Sequence, residues 1–141
     1  MNPKRNAQGA GAYAQVAVHT NVEGASPHRL VQMLMEGALD RIVAAKGCMQ
    51  RRQIADKGQQ ISVAISIVNA LHASLDKEAG GEIAANLDQL YDYMERRLLE
   101  ANVHNDPSIL DEVVDLLRQI KTAWDAIADQ PDPRASQAAV G

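Results

Sequence analysis

Apolar residues recur at three- and four-residue intervals along four stretches of the chain, and they overfill the faces those intervals define. The first stretch opens on Ser26-Pro27, a serine N-cap followed by a proline at the first helical position. Its stripe of Leu30, Val31, Leu34, Ala38, Ile42, Ala45 and Met49 predicts a helix from Pro27 to Met49. Arg51 to Gln53 form a short connection, so a second helix, near Gln53 to Asp76, is expected to return antiparallel. Its stripe is Ile54, Ile61, Ile65, Val68 and Leu75. Gly80-Gly81, within Lys77 to Gly81, reads as a helix stop. A third helix carries Ile83, Leu87, Leu90, Tyr91, Met94, Leu98 and Ala101, and Asn102 to Asn105 break it. Asp106-Pro107 repeats the start signal, and Leu110, Val113, Leu117, Ile120, Trp124 and Ile127 line a fourth helix. Four helices of about 20 residues, each ~30 Å long, with short connections predict an all-α, antiparallel up-down-up-down four-helix bundle. The expected division is a flexible N-terminal segment over 1–25, the bundle over 26–130, and a disordered tail over 131–141 after Pro131 and Pro133.

The surplus is the more informative part of the pattern. Met33, Leu34 and Met35 are consecutive, and successive helical positions turn by roughly 100°, so the three cannot all face one core. Leu39 and Val43 lie on the far side from Leu34, among Gln32 and Glu36. In the second helix Val63, Ile67 and Ala70 fall off the stripe in the same way. Single exposed aliphatics are ordinary on any surface. A cluster of them on two consecutive helices points instead to binding of another chain. Helical proteins that receive amphipathic segments use such grooves, and flexible Met side chains suit them.

Composition narrows the rest. Hydrophobic residues make up 46% of the 141, so the chain is not disordered as a whole, and it is long enough for one domain with a real core. Aromatics are 3% and Phe is absent, so that core is aliphatic. A net charge of -4 and a pI near 5.5 argue against a nucleic-acid footprint or an anionic membrane surface. No long apolar run is free of charge, so no membrane insertion is expected. Met1 to Gly11 lacks a signal-peptide apolar core, which makes the cytoplasm the default location. The single cysteine, Cys48, falls on the inner side of its helix and reads as a buried structural thiol.

Candidate chemistry is sparse. A di-iron bundle needs Glu-x-x-His on two helices, and none of the four histidines has a Glu three residues before it. His72 falls on the inner stripe of the second helix and reads as a core histidine with a hydrogen-bond partner. A phosphotransfer histidine would need an exposed mid-helix place with a following Lys, whereas His72 leads into Ala73-Ser74-Leu75-Asp76. Gly80-Gly81 lacks the Lys-Ser/Thr of a phosphate loop. Asp111-Glu112 and Glu95-Arg96-Arg97 read as solvated helix-face charges. No cofactor, metal or enzymatic activity is expected. An interaction bundle with some other client, or a phosphotransfer bundle, are the alternatives.

One resemblance runs through most of the chain. Ala12-Tyr13-Ala14-Gln15-Val16 is followed by Ala25-Ser26-Pro27-His28-Arg29-Leu30 and, further on, Gly37-Ala38-Leu39. Tyr91-Asp92-Tyr93-Met94-Glu95-Arg96-Arg97-Leu98 then leads to Ala101-Asn102, and Trp124 stands near the end. This pattern, from about Ala12 to Ile127, resembles the bacterial flagellin-specific export chaperone family, FliS. Met35-Glu36 departs from it, since the family commonly has an aromatic and then Asp before that Gly. The resemblance implies a non-enzymatic four-helix bundle that holds new flagellin in the cytoplasm by its C-terminal region. It implies too that the bundle blocks premature polymerisation and delivers its client to the flagellar type III export gate. The free protein is expected to be a monomer or weak homodimer. The expected partner-binding residues are Tyr13, Met33, Met35, Leu39, Val43, Val63, Ile67 and Leu71.

Overall fold

The computed structural model describes residues 24–127. They form four helices, α1 (Pro27–Gln50), α2 (Ile54–Ala73), α3 (Lys77–His104) and α4 (Pro107–Ala126), with no strand among the described residues. Tyr13, Val16, Val18 and the C-terminal tail lie outside that range.

Three of the four helix starts carry a side-chain cap; α2, which follows Gln53, has none. Ser26 Oγ accepts from the Arg29 amide at 3.1 Å, and Asp106 Oδ1 accepts from the Ser108 amide at 2.9 Å; each cap is followed by proline. These bonds satisfy amides that a first turn otherwise leaves unpaired. The α3 start corrects the sequence reading. The second helix already ends at Ala73, and Asp76, four residues before Gly80, caps the start of α3, accepting from the Ala79 amide at 3.0 Å. Gly81 then takes φ 54° and ψ −128°, a kink inside α3 that a residue with a Cβ would resist. At the far end Asn105 is left-handed (φ 51°) and closes α3 as an αL cap.

Paired contacts show every neighbour to be antiparallel. Between α1 and α2, Gly37 lies against Ile67 and Arg41 reaches Gln60; between α2 and α3, His72 meets Glu95 while Lys57 meets Asn102. Between α1 and α4, Gln32 bonds Asp125 at 2.7 Å and Lys46 pairs with Asp111 at 2.9 Å. The principal contacts therefore run in a closed ring, α1 to α2 to α3 to α4 and back. One end of the α1–α4 seam is clasped by Trp124, which stacks on His28 at 4.7 Å and donates its indole N–H to the His28 carbonyl at 3.0 Å.

The core is one cluster that includes Leu34, Ile42, Ile61, Val68, Leu71, Met94, Leu98, Leu110, Val113 and Leu117. Tyr91 is its one aromatic member, and burial pushes its hydroxyl up to about 12. Cys48 is buried, as the sequence suggested. The α2 stripe is rotated relative to expectation. Ile54 is 56% exposed, whereas Ala64, Ile67 and Ala70 are buried beside Ile61 and Val68. Ile67 packs beside Gly37 of α1, and Ala64 and Ala70 go inside with it. Ile83, placed on the α3 stripe by its spacing, is 73% exposed beyond the kink. Lys57 is the one buried charged residue among those described, and its ammonium donates to the Asn102 carbonyl at 3.0 Å. That carbonyl belongs to the last turn of α3, where oxygens lack helical partners and the helix dipole favours a cation.

Candidate functional site

Of the eight residues expected to bind a partner, the seven that are described do not form one surface. Met35, Ile67 and Leu71 are in the core, at 1%, 6% and 1% exposure, so Met35 and Ile67 are not surplus surface and none of the three is open to a partner in the free bundle. All three lie on the faces of α1 and α2 that build the shared core cluster. Met33 and Val63 are half-buried, and Val63 packs on the core. By helical spacing Met33, one turn before Gly37, falls on the α2 side of α1, and Val63 lies between Gln60 and Ile67. Leu39 and Val43 lie on the opposite flank of α1, the one that carries Gln32 and Lys46 to α4. Tyr13 lies outside the described residues. The off-stripe residues of α1 and α2 thus divide between two seams, and only Leu39 and Val43 border the second.

That second seam holds a surface hollow. It has a volume of about 220 Å³ and is lined by Ile42, Val43 and Lys46 of α1 and by Leu110, Asp111, Val114 and Arg118 of α4. Ile42, Leu110 and Val114 form an apolar floor that is part of the core, and Val43, 53% exposed, forms a wall. Leu39 continues the flank one turn earlier, packed partly on the core. The rim is charged. Lys46 is balanced by Asp111, whereas Arg118 makes no hydrogen bond or ion pair among the described residues. An apolar trough with a charged rim and one spare cation suits an amphipathic segment better than a small polar substrate.

Sequence reasoning misses two further features. Exposed Ile54 and Val103 share the bundle end where Lys57 ties the start of α2 to the end of α3, and exposed Leu99 precedes Val103 by one turn. Periodicity assigns Ile54 to the core, so nothing in the pattern marks this patch. The second feature is polar. Glu112 accepts the Tyr93 hydroxyl and Arg97 Nε, each at 2.7 Å, and Arg97 also reaches Glu100 at 2.7 Å. The hydrogen bonds from Tyr93 and then Arg97 hold the Glu112 carboxyl below its ordinary range. Glu112 and Arg97 are therefore cross-links between α3 and α4 rather than solvated face charges.

Among the described residues, no histidine has the open mid-helix setting of a phosphoryl acceptor. His72 is not on the inner stripe; it sits half-buried at the α2–α3 rim with a carboxylate at each ring nitrogen, Asp88 and Glu95. A phosphoryl group there would meet like charge. His28 is stacked on Trp124 with Nε2 buried, and His104 is the last residue of α3. Among the described residues no cluster of three His, Cys, Asp or Glu could hold a metal, and no helix is long and apolar enough to cross a membrane.

Comparison with known proteins places this architecture. Residues 9–131 match the family model described as flagellar protein FliS. The chain is 52% identical over 116 residues to the flagellar secretion chaperone FliSB of Pseudomonas aeruginosa, covering 82% of this chain and 92% of the relative. It is 48% identical over 131 residues to the flagellar secretion chaperone FliS of Salmonella typhimurium, covering 92% and 94%. The FliS of Bacillus subtilis is similar at 33% over 113 residues, 80% of each chain. A match that spans the whole described bundle, with relatives this similar over most of both sequences, shows that the chain belongs to the FliS family of flagellar proteins.

Proposed function

We propose that this chain is a flagellar secretion chaperone that binds the C-terminal region of flagellin in the cytoplasm. By covering that region it prevents premature polymerisation and presents the client to the flagellar type III export gate. The observation that carries the reading is the α1–α4 trough, with its apolar floor, exposed Val43 wall and charged rim. A segment that pairs with copies of itself through an apolar stripe is kept single when that stripe lies in such a trough. Leu39 and Val43 would take its apolar side chains, and Arg118 a carboxylate or carbonyl at its edge. A segment disordered when free orders on binding, so part of the contact energy offsets lost chain entropy. The bundle supplies surface rather than chemistry, with no nucleotide or other cofactor, and release comes from competition at the gate.

The test is size-exclusion chromatography with mass measurement. The chain alone should elute as a monomer or weak dimer. With full-length flagellin it should form a stable complex, and with flagellin lacking its C-terminal segment it should elute alone. A complex that survives the truncation overturns the reading.

A further inference from the structure

The α2–α3 seam contains a group whose geometry demands a charge. Both ring nitrogens of His72 face carboxylates: Nδ1 stands 3.1 Å from Glu95 Oε2, and Nε2 bonds Asp88 Oδ1. A neutral imidazole has one N–H and one lone pair, so it donates to only one carboxylate. The imidazolium donates to both. We propose that His72 is a protonation-dependent latch: as imidazolium it fastens the early part of α3 to α2, and on losing its proton it releases one carboxylate and loosens that segment.

The segment it fastens has little else to hold it. From Lys77 to Asp88, Ala84 is the one buried residue, Gly81 interrupts the helix, and Ile83 faces solvent. Leu75 and Leu87 pack only partly on the core. After Tyr91 the helix is anchored by Met94, Leu98 and Ala101. A bond broken at Asp88 therefore acts on the loosely held turns, where local opening is easiest.

The groups facing the ring are few. From α3 come Asp88 and Glu95, the Tyr91 ring at 6.2 Å between centroids, and Lys77, which pairs with Asp88 at 3.2 Å. Among the described residues, no charged side chain of α1, α2 or α4 bonds or pairs with it. Partial burial is the largest single influence on His72 and lowers its proton affinity. The hydrogen bonds and charges of Asp88 and Glu95 together outweigh it, and the net result is a pKa above the ordinary 6.5. Asp88 is correspondingly held below the usual carboxylate range, first by His72 and then by Lys77. A histidine whose folded pKa is raised stabilises fully below its unfolded value and loses that contribution as pH climbs through the folded value. The latch is thus closed below about pH 6.5 and opens as pH climbs through the folded midpoint, which lies above that value.

The experiment is an NMR titration of the imidazole C–H signals from about pH 5 to 9.5, with hydrogen exchange of amides 82–96 measured over the same range. His72 is assigned by the signal lost in His72→Gln, and exchange is corrected for its intrinsic pH dependence. The latch predicts a His72 midpoint above 6.5 that falls in Glu95→Gln. It also predicts corrected exchange in 82–96 several-fold faster above that midpoint than below it, with no such step in His72→Gln. Should His72→Gln fail to fold, the Glu95→Gln midpoint and the wild-type exchange step decide the matter. A midpoint at or below 6.5, a midpoint unmoved by Glu95→Gln, or an exchange profile without the step overturns the proposal.

Discussion

Leu34→Ala is expected to cost about 2–5 kcal/mol of folding stability, far more than truncation of any exposed aliphatic on the bundle. Leu34 is 1% exposed and belongs to the continuous cluster that all four helices share. The loss combines the transfer energy of the removed methyl-bearing carbons with the cavity left among helices too rigid to collapse onto it. For a bundle of this size each kcal/mol moves the melting temperature by roughly 4–8 °C, so thermal and urea melts both read it. Ile83→Ala is the control. Periodicity places Ile83 on a core stripe, yet it is 73% exposed, and its truncation is expected to stay within about 0.5 kcal/mol. Equal costs at the two positions would contradict the packing described.

The contrast between those two residues shows what is legible in a pattern. The four helices, their antiparallel order and the Ser26-Pro27 and Asp106-Pro107 starts follow from local chemistry, and local chemistry is in the sequence. The inward face of α2 does not follow. Ile54, Ile61, Val63, Ile65, Ile67 and Val68 surround that helix, so its period defines no single face. The choice is made by packing against α1, which sets Ile67 beside Gly37 and leaves Ala64 and Ala70 buried with it. A reading that weighs large aliphatics misses a seam built on small residues. The Gly80-Gly81 reading is displaced rather than empty: Asp76 supplies a cap that starts α3 first, and Gly81 then breaks its helical geometry one turn in. The His72 environment is half legible, since Asp88 and Glu95 lie seven residues apart and so share a face of α3. That this face meets His72 depends on the register of α2 against α3. The trough is legible only in part, because Val43 marks one wall while Leu110, Val114 and Arg118 come from the other end of the chain.

Val43→Asp is expected to separate folding from binding. Val43 is 53% exposed, so a carboxylate there remains hydrated in the free protein, and the melting temperature should stay nearly unchanged. In the complex that carboxylate would face the apolar side of the client and lose its water. Binding of flagellin should weaken at least tenfold, or about 1.4 kcal/mol. A urea melt in which Val43→Asp unfolds the bundle would mean that the α1 face is misassigned. Unchanged affinity would mean that the client does not use the α1–α4 trough.

The central claim is that client recognition is burial of apolar surface by a segment that orders on the bundle. Isothermal titration calorimetry of flagellin's C-terminal segment into this chain, repeated at several temperatures, measures that directly. Apolar burial coupled to ordering predicts a strongly negative heat-capacity change, reduced in Val43→Asp along with the affinity. A heat-capacity change near zero, with binding that salt abolishes, would mean that surface charge carries the contact and would contradict the claim.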